Sequence, residues 1–212
     1  MARAGDRYKL KLIFDRLYRA FGPQNWWPAD TALEVAVGAV LTQNASWTAV
    51  ERAIARLKAH RMLGLEQLAR LSPAELTPLI KPAGLYRVKA RRLYALLQYL
   101  AGQGGFAGLR RKETLVLREE LLTLHGIGPE TADSILLYAL NRPIFVIDAY
   151  TRRILSRYGL IRGDEPYDAL RQWFQTALPS EAQLYNEYHA LLVRLAKTCC
   201  RPRPLCSHCP LA

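Results

Sequence analysis

Apolar residues recur at helical spacing almost without interruption, and this restricts the chain to an all-α fold. Leu33, Val37, Val40 and Leu41 form one stripe, Ala132, Ile135, Leu136 and Ala139 a second, and Leu184, Tyr188, Leu191, Leu192 and Leu195 a third. Steps of three and four residues put such side chains on one helix face, whereas a half-buried strand needs strict alternation, and no sustained run of that kind exists. Start signals agree: Asp30 precedes the first stripe, Ser72-Pro73 is followed by Glu75, and Ser180 by Gln183, the last two with capping-box spacing. Breaks fall at residues 22–28, 81–84, 102–108 and 141–143, where Gly, Pro and Asn collect. None is long enough for a flexible linker. Half of the 212 residues are hydrophobic, which suffices for a sizeable core. The expected organisation is a helical body over residues 30–140 and a second helical subdomain from residues 1–29 plus 141–212, with the N-terminal helix folded back onto the C-terminal ones.

Thirty Lys and Arg against 18 Asp and Glu leave a formal charge of +12. Such an excess favours a polyanionic partner, nucleic acid foremost, although a solvated basic surface has the same composition. Arg87, Lys89, Arg91 and Arg92 read as a basic run suited to a phosphate-facing surface or a solvated helix face. No apolar stretch reaches the roughly 20 residues a bilayer demands, and the N-terminus lacks a signal-peptide core, so a cytoplasmic protein without membrane contact is expected.

The segment LHGIGPETAD over residues 124–133 carries two glycines one residue apart and then a proline. Glycines permit the tight turn, Pro129 suits the first position of a helix, and the amides around Gly126, Ile127 and Gly128 would face a phosphate at that helix N-terminus. An ordinary helix-helix turn has the same residues. Asp148 follows an apolar run and precedes a further helical pattern, so it reads as an N-cap and, at a cleft, as a carboxylate facing a substrate. All four cysteines fall between Cys199 and Cys209. That spacing is poor for disulfides that staple a fold and good for wrapping a metal centre in a reducing compartment.

Together, LHGIGPETA, the VIDAYTRRIL segment and the terminal cysteines resemble the helix-hairpin-helix, catalytic Asp and cluster loop of the endonuclease III superfamily of DNA glycosylases. The resemblance runs from NWWPADTALEVAVGAVLTQNASW to CSHCPL, and the WWP, LTQN and GIGPETAD segments are most similar to its 3-methyladenine DNA glycosylase III branch. It implies two helical subdomains with the active site in the cleft between them, and a monomer associated with the nucleoid that acts on double-stranded DNA holding a damaged base. The reaction implied is hydrolysis of an N-glycosidic bond, with an alkylated purine as the substrate. A glycosylase for another lesion, or a non-catalytic DNA-binding relative, would carry many of the same residues.

The resemblance also assigns roles. Asp148 becomes the catalytic carboxylate. Where bifunctional members carry a sugar-attacking lysine this chain has Glu130, which cannot form a Schiff base, so the lyase route through that position is closed. Trp26, Trp27 and Trp47 border the base pocket with Glu130; adjacent tryptophans in a regular helix would diverge, leaving at least one in the core. Gln43 and Asn44 occupy positions that fill the gap left by a flipped nucleotide, with turn formation the alternative for Asn44. Gly126, Ile127, Gly128 and Thr131 hold the DNA backbone, as do Arg201 and Arg203 beside the cysteines. Cys199, Cys206 and Cys209 match three ligands of a four-iron, four-sulfur (4Fe-4S) cluster. The family pattern puts the fourth cysteine past Ala212, so either the chain is shortened or Cys200 supplies that thiolate; tetrahedral zinc on the cysteines or His208 is the remaining reading.

Overall fold

A computed structural model describes residues 4–212. The described residues contain twelve α-helices, three short 3-10 or π segments and no strand, so the all-α expectation holds. In chain order the helices are α1 (Ala4–Phe21), α2 (Ala32–Leu41), α3 (Trp47–Ala59), α4 (Leu65–Ala69), α5 (Pro73–Leu79), α6 (Tyr86–Gly102), α7 (Gly105–Arg110), α8 (Thr114–Thr123), α9 (Pro129–Ser134), α10 (Ala149–Arg157), α11 (Tyr167–Ala177) and α12 (Ala182–Thr198). Among the described residues no helix is long and apolar enough to cross a membrane.

The chain divides into two compact units, Ala29–Leu140 and Met1–Pro28 with Asn141–Ala212. The first is built around α2. Every residue from Leu33 to Leu41 is buried, as expected of a helix apolar on all sides, and α2 packs on α3, α6, α9 and the π turn Ile135–Ala139 that continues α9. Its start is set by Thr31, whose hydroxyl accepts from the Glu34 amide at 3.1 Å, while the Glu34 carboxylate accepts from the Asp30 amide at 3.1 Å and pairs with Lys58 at 2.8 Å. Asp30, the sequence-level start signal, instead pairs with Lys58 at 2.7 Å. The Ser72–Glu75 capping box forms as its spacing implies. The Ser180 signal does not: α12 has Glu181 at its N-cap, with no side-chain cap bond. The glycine-rich break also contains more helix than its composition suggests, since α7 forms across Gly105 and Gly108.

The basic run after Gly84 divides by helical phase. Arg87 and Arg91 are exposed on α6, but Lys89 is only 1% exposed and donates to the carbonyls of Leu41 and Ala83, both at 2.7 Å. Lys89 therefore ties α6 to the end of α2 rather than facing phosphate. Burial, then the charge of Arg92, pushes its pKa down to about 8.

In the second unit α1 packs on α11 and α12, and α10 on α12. Its core is aromatic: the Phe145 ring stacks on Phe174 at 3.9 Å and meets Tyr185 and Tyr188 edge-on at 5.5 and 5.7 Å. The apolar run at residues 144–147 is thus a buried, non-helical segment. Side chains of α11 satisfy its backbone: Phe145 N donates to Gln175 Oε1 and Ile147 N to the Tyr167 hydroxyl, each at 3.3 Å. This anchored segment delivers Asp148 to the head of α10.

Candidate active site

Asp148 is the N-cap of α10, with extended backbone (φ −99°, ψ 177°), and its Oδ1 accepts from the Thr151 amide at 2.6 Å. Its Oδ2 stands 3.4 Å from Nε2 of His189 on α12. The carboxylate is 12% exposed, so it is dry yet still open to solvent along one side. Burial pushes its pKa up, but nearby His189 and the bond from the Thr151 amide outweigh this and hold it below the usual carboxylate range. Asp148 is thus ionised at neutral pH. His189 was not singled out in the sequence, where it is one polar residue within the apolar stripe of α12.

The same unit holds Trp26 and Trp27. They lie in the non-helical stretch after α1, not in a helix, and both are half-buried, so neither is the core residue a helical geometry would require. Their ring centroids are 5.7 Å apart at 54°. Lys197 Nζ lies 5.7 Å over the Trp26 ring, which commits one face of that indole to a cation. Gln24 fixes the stretch to α12 through its amide, which donates to Glu187 Oε1 at 2.7 Å.

The cysteines lie at the C-terminal end of α12. Cys199, Cys200, Cys206 and Cys209 all line one cavity of about 160 Å3, with Ile154, Leu195 and Leu211, and none of them forms a disulfide. Among the described residues no three His, Cys, Asp or Glu side chains converge as ligands of a single ion would. Two arginines of α10 brace this loop. Arg153 Nε donates to the Cys200 carbonyl at 2.9 Å, and Arg157 donates to the carbonyls of Arg201 and Pro202 at 2.5 and 3.0 Å and lies 3.5 Å from Cys200 Sγ. Arg201 and Arg203 are exposed, Arg201 being held by the Lys197 carbonyl at 3.0 Å.

The other unit holds the hairpin, α8 and α9 joined by residues 124–128. Gly126 is left-handed (φ 76°) and exposed, and Gly128 caps α9 with exposed backbone. Ile127 differs: its side chain is 4% exposed and its amide donates to the Leu124 carbonyl at 3.0 Å, so it anchors the turn and offers no free donor. Thr131 is likewise buried at 7%, its hydroxyl accepting from Gln43 at 2.9 Å. Glu130 is exposed in the first turn of α9.

Gln43 spends its whole amide on this turn. Nε2 donates to the Gly126 carbonyl at 3.0 Å as well as to Thr131, and Oε1 accepts from Arg92 at 2.6 Å. Filling a gap in DNA would require those bonds to open. Asn44, exposed and left-handed (φ 51°), forms the turn beside it, and Trp47 opens α3 behind the Ser46 cap, half-buried. Arg92 stacks its stem against the hairpin so tightly that a Cβ on Gly126 would sit 2.4 Å from Arg92 Cγ. Gly126→Ala therefore meets both a left-handed backbone and an anchored neighbour. It should lower stability by about 1–2 kcal/mol and weaken binding to any DNA duplex, read by thermal melting and a salt-controlled binding titration.

Residues 37–180 match the family described as the HhH-GPD superfamily of base excision DNA repair proteins. A Methanocaldococcus jannaschii protein named as a DNA repair glycosylase is 46% identical over 202 residues, which cover 94% of this chain and 92% of that one. The crystal structure of the Helicobacter pylori 3-methyladenine DNA glycosylase MagIII bound to 1,N6-ethenoadenine superposes with a TM-score of 0.76 at 29% identity, covering 91% of this chain and 97% of the other. A non-covalent endonuclease III–DNA complex gives 0.80 over 97% and 92%; at 22% identity it speaks to the fold alone.

Proposed function

We propose, from the premise that this chain belongs to the HhH-GPD superfamily of base excision DNA repair proteins, that it is a monofunctional DNA glycosylase releasing alkylated purines. It works on double-stranded DNA, as a monomer in the cytoplasm. The observation that carries this reading is the ionised Asp148 carboxylate at the head of α10, one oxygen held by the helix and the other not engaged by backbone.

A damaged nucleotide must leave the stack to reach such a carboxylate. The C1′–N bond then breaks with its electron pair going to the base, and positive charge develops on the sugar. Asp148 faces that charge, and a water oxygen bonds to C1′ as its proton passes to the carboxylate. A cationic purine departs neutral, so no strong acid is required. Half-buried Trp26, Trp27 and Trp47 supply the aromatic faces that favour such a base by stacking and cation-π attraction, about 0.5–2 kcal/mol. The exposed turn at Gly126 and Gly128, with Arg201 and Arg203, supplies backbone contacts that carry no sequence information.

Glu130 supports the hydrolytic route, since a carboxylate has no amine for a Schiff base. Duplexes holding a methylated purine should release free base, with strand scission only after alkali. Scission without alkali overturns the monofunctional reading, and release confined to deaminated or oxidised bases overturns the alkylated substrate. Glu130→Gln should lower excision of cationic lesions several-fold relative to neutral ones.

The cysteine cavity suits a 4Fe-4S cluster. Four cysteines line this one cavity, and thiolates are the natural ligands of iron in such clusters. Cys199, Cys206 and Cys209, with Cys200 as the fourth, would hold it, and it would fix the loop bearing Arg201 and Arg203 without entering the bond cleavage. Anaerobically purified protein should contain iron and absorb in the visible. Stoichiometric zinc in place of iron overturns this.

A further inference from the structure

We infer that His189 is a positioning residue for this chemistry, holding Oδ2 of Asp148 in place while the start of α10 holds Oδ1. The inference rests on Asp148 acting as proposed above, and goes beyond it by assigning the second clamp on the carboxylate. A carboxylate fixed by one oxygen still swings about its Cβ–Cγ bond. Oδ1 of Asp148 is taken by the Thr151 amide at 2.6 Å, which fixes one end; the plane stays undefined until something meets Oδ2. His189 Nε2 meets it, at 3.4 Å, from a different helix.

The separation is long for a hydrogen bond and within reach of an ion pair, and catalytic contacts of this kind commonly tighten only in the loaded complex. Both partners are dry, at 8% and 12% side-chain exposure, so the interaction is weakly screened. With its proton on Nε2 the ring donates to Oδ2 whether neutral or charged. His189 is itself buried, in a stretch of α12 where Tyr185, Tyr188 and Leu192 are buried too.

The charged side chains of Arg152 and Arg153, which follow Asp148 on α10, reach other groups. On α10, Arg152 reaches the Glu165 carbonyl at 2.7 Å and Arg153 the Cys200 carbonyl at 2.9 Å. On α11, the Tyr167 hydroxyl serves the Ile147 amide at 3.3 Å. His189 is the group whose charge bears on the carboxylate, and burial alone would push Asp148 the other way.

His189→Leu removes the donor and the charge. The acid limb of the kcat/KM profile, which reports the free enzyme, should then move to higher pH, because burial is left opposed only by Thr151. Single-turnover base release near neutral pH should fall about tenfold to a hundredfold, the scale of a misplaced reacting group. Affinity for a duplex with an uncleavable abasic analogue should not change. His189→Gln, which keeps an amide donor, should recover most of the neutral-pH rate. His189→Asn, polar but too short to reach Oδ2, should behave as the leucine variant does and serves in its place if that one fails to fold. An unchanged profile and rate in the leucine or asparagine variant overturns the role of His189, provided Asp148→Asn loses base release. If Asp148→Asn retains release, the catalytic reading of Asp148 fails instead.

Discussion

Asp148→Asn is expected to lower single-turnover base release by about a hundredfold to a thousandfold, with affinity for lesion-bearing duplex intact. The substitution separates the cap this residue forms from the catalytic role proposed for it. As an N-cap, Asp148 accepts the Thr151 amide, and Asn is an equally good cap, so α10 should start where it does now and melting should barely move. In its proposed role as electrostatic partner for a cationic sugar, Asp148 would supply a full negative charge from a site 12% exposed, and the amide none. Asp148→Ala should add a stability loss of about 0.5–2 kcal/mol, because the cap is gone too. Unchanged release in the asparagine variant would leave Asp148 a cap and nothing more.

The sequence points to Asp148 as a helix start, and the family resemblance adds the catalytic role proposed for it. The first reading draws on local pattern, an apolar run, an aspartate and then helical spacing, and the structure puts that aspartate at the head of α10. Helical periodicity, the Gly-x-Gly turn, the Ser72–Glu75 box and the grouping of the cysteines on one cavity are equally local, and each could be read before folding. What escaped depends on partners far along the chain. His189 sits in an apolar stripe and acquires meaning only when α12 lies beside α10. Lys89 looks like its neighbours Arg87 and Arg91 until helical phase turns it inward onto two carbonyls. Gln43 has a side chain suited to many roles, and its engagement by Arg92, Gly126 and Thr131 is fixed by tertiary placement. Thr31 and Asp30 differ as caps by a single residue, which propensity does not resolve because both are favoured types.

The hairpin itself rests on a buried ion pair, and breaking it should be the most destabilising single change in its unit. Arg118 on α8 donates to both oxygens of Asp133 on α9, from Nε at 2.6 Å and from Nη2 at 3.3 Å, with side-chain exposures of 8% and 0%. The bidentate pair joins the two helices across their short glycine turn and defines their mutual angle in direction as well as distance. Removing one partner leaves the other's charge buried without the pair that compensates it. Arg118→Leu or Asp133→Leu should therefore each cost about 3–5 kcal/mol, a fall in Tm of roughly 6–20 °C at 2–4 °C per kcal/mol. DNA binding should weaken with it, since Gly126 and Gly128 lie between these helices. Changing both residues together, Arg118→Met with Asp133→Leu, replaces the pair by apolar contact and should recover most of the lost stability, because desolvating two charges nearly offsets their attraction. Recovery of Tm without recovery of DNA affinity would show that the pair aims the turn as well as holding it. Single variants that melt like the parent would mean the turn is held by the Arg92, Gln43 and Thr131 bonds on its other side.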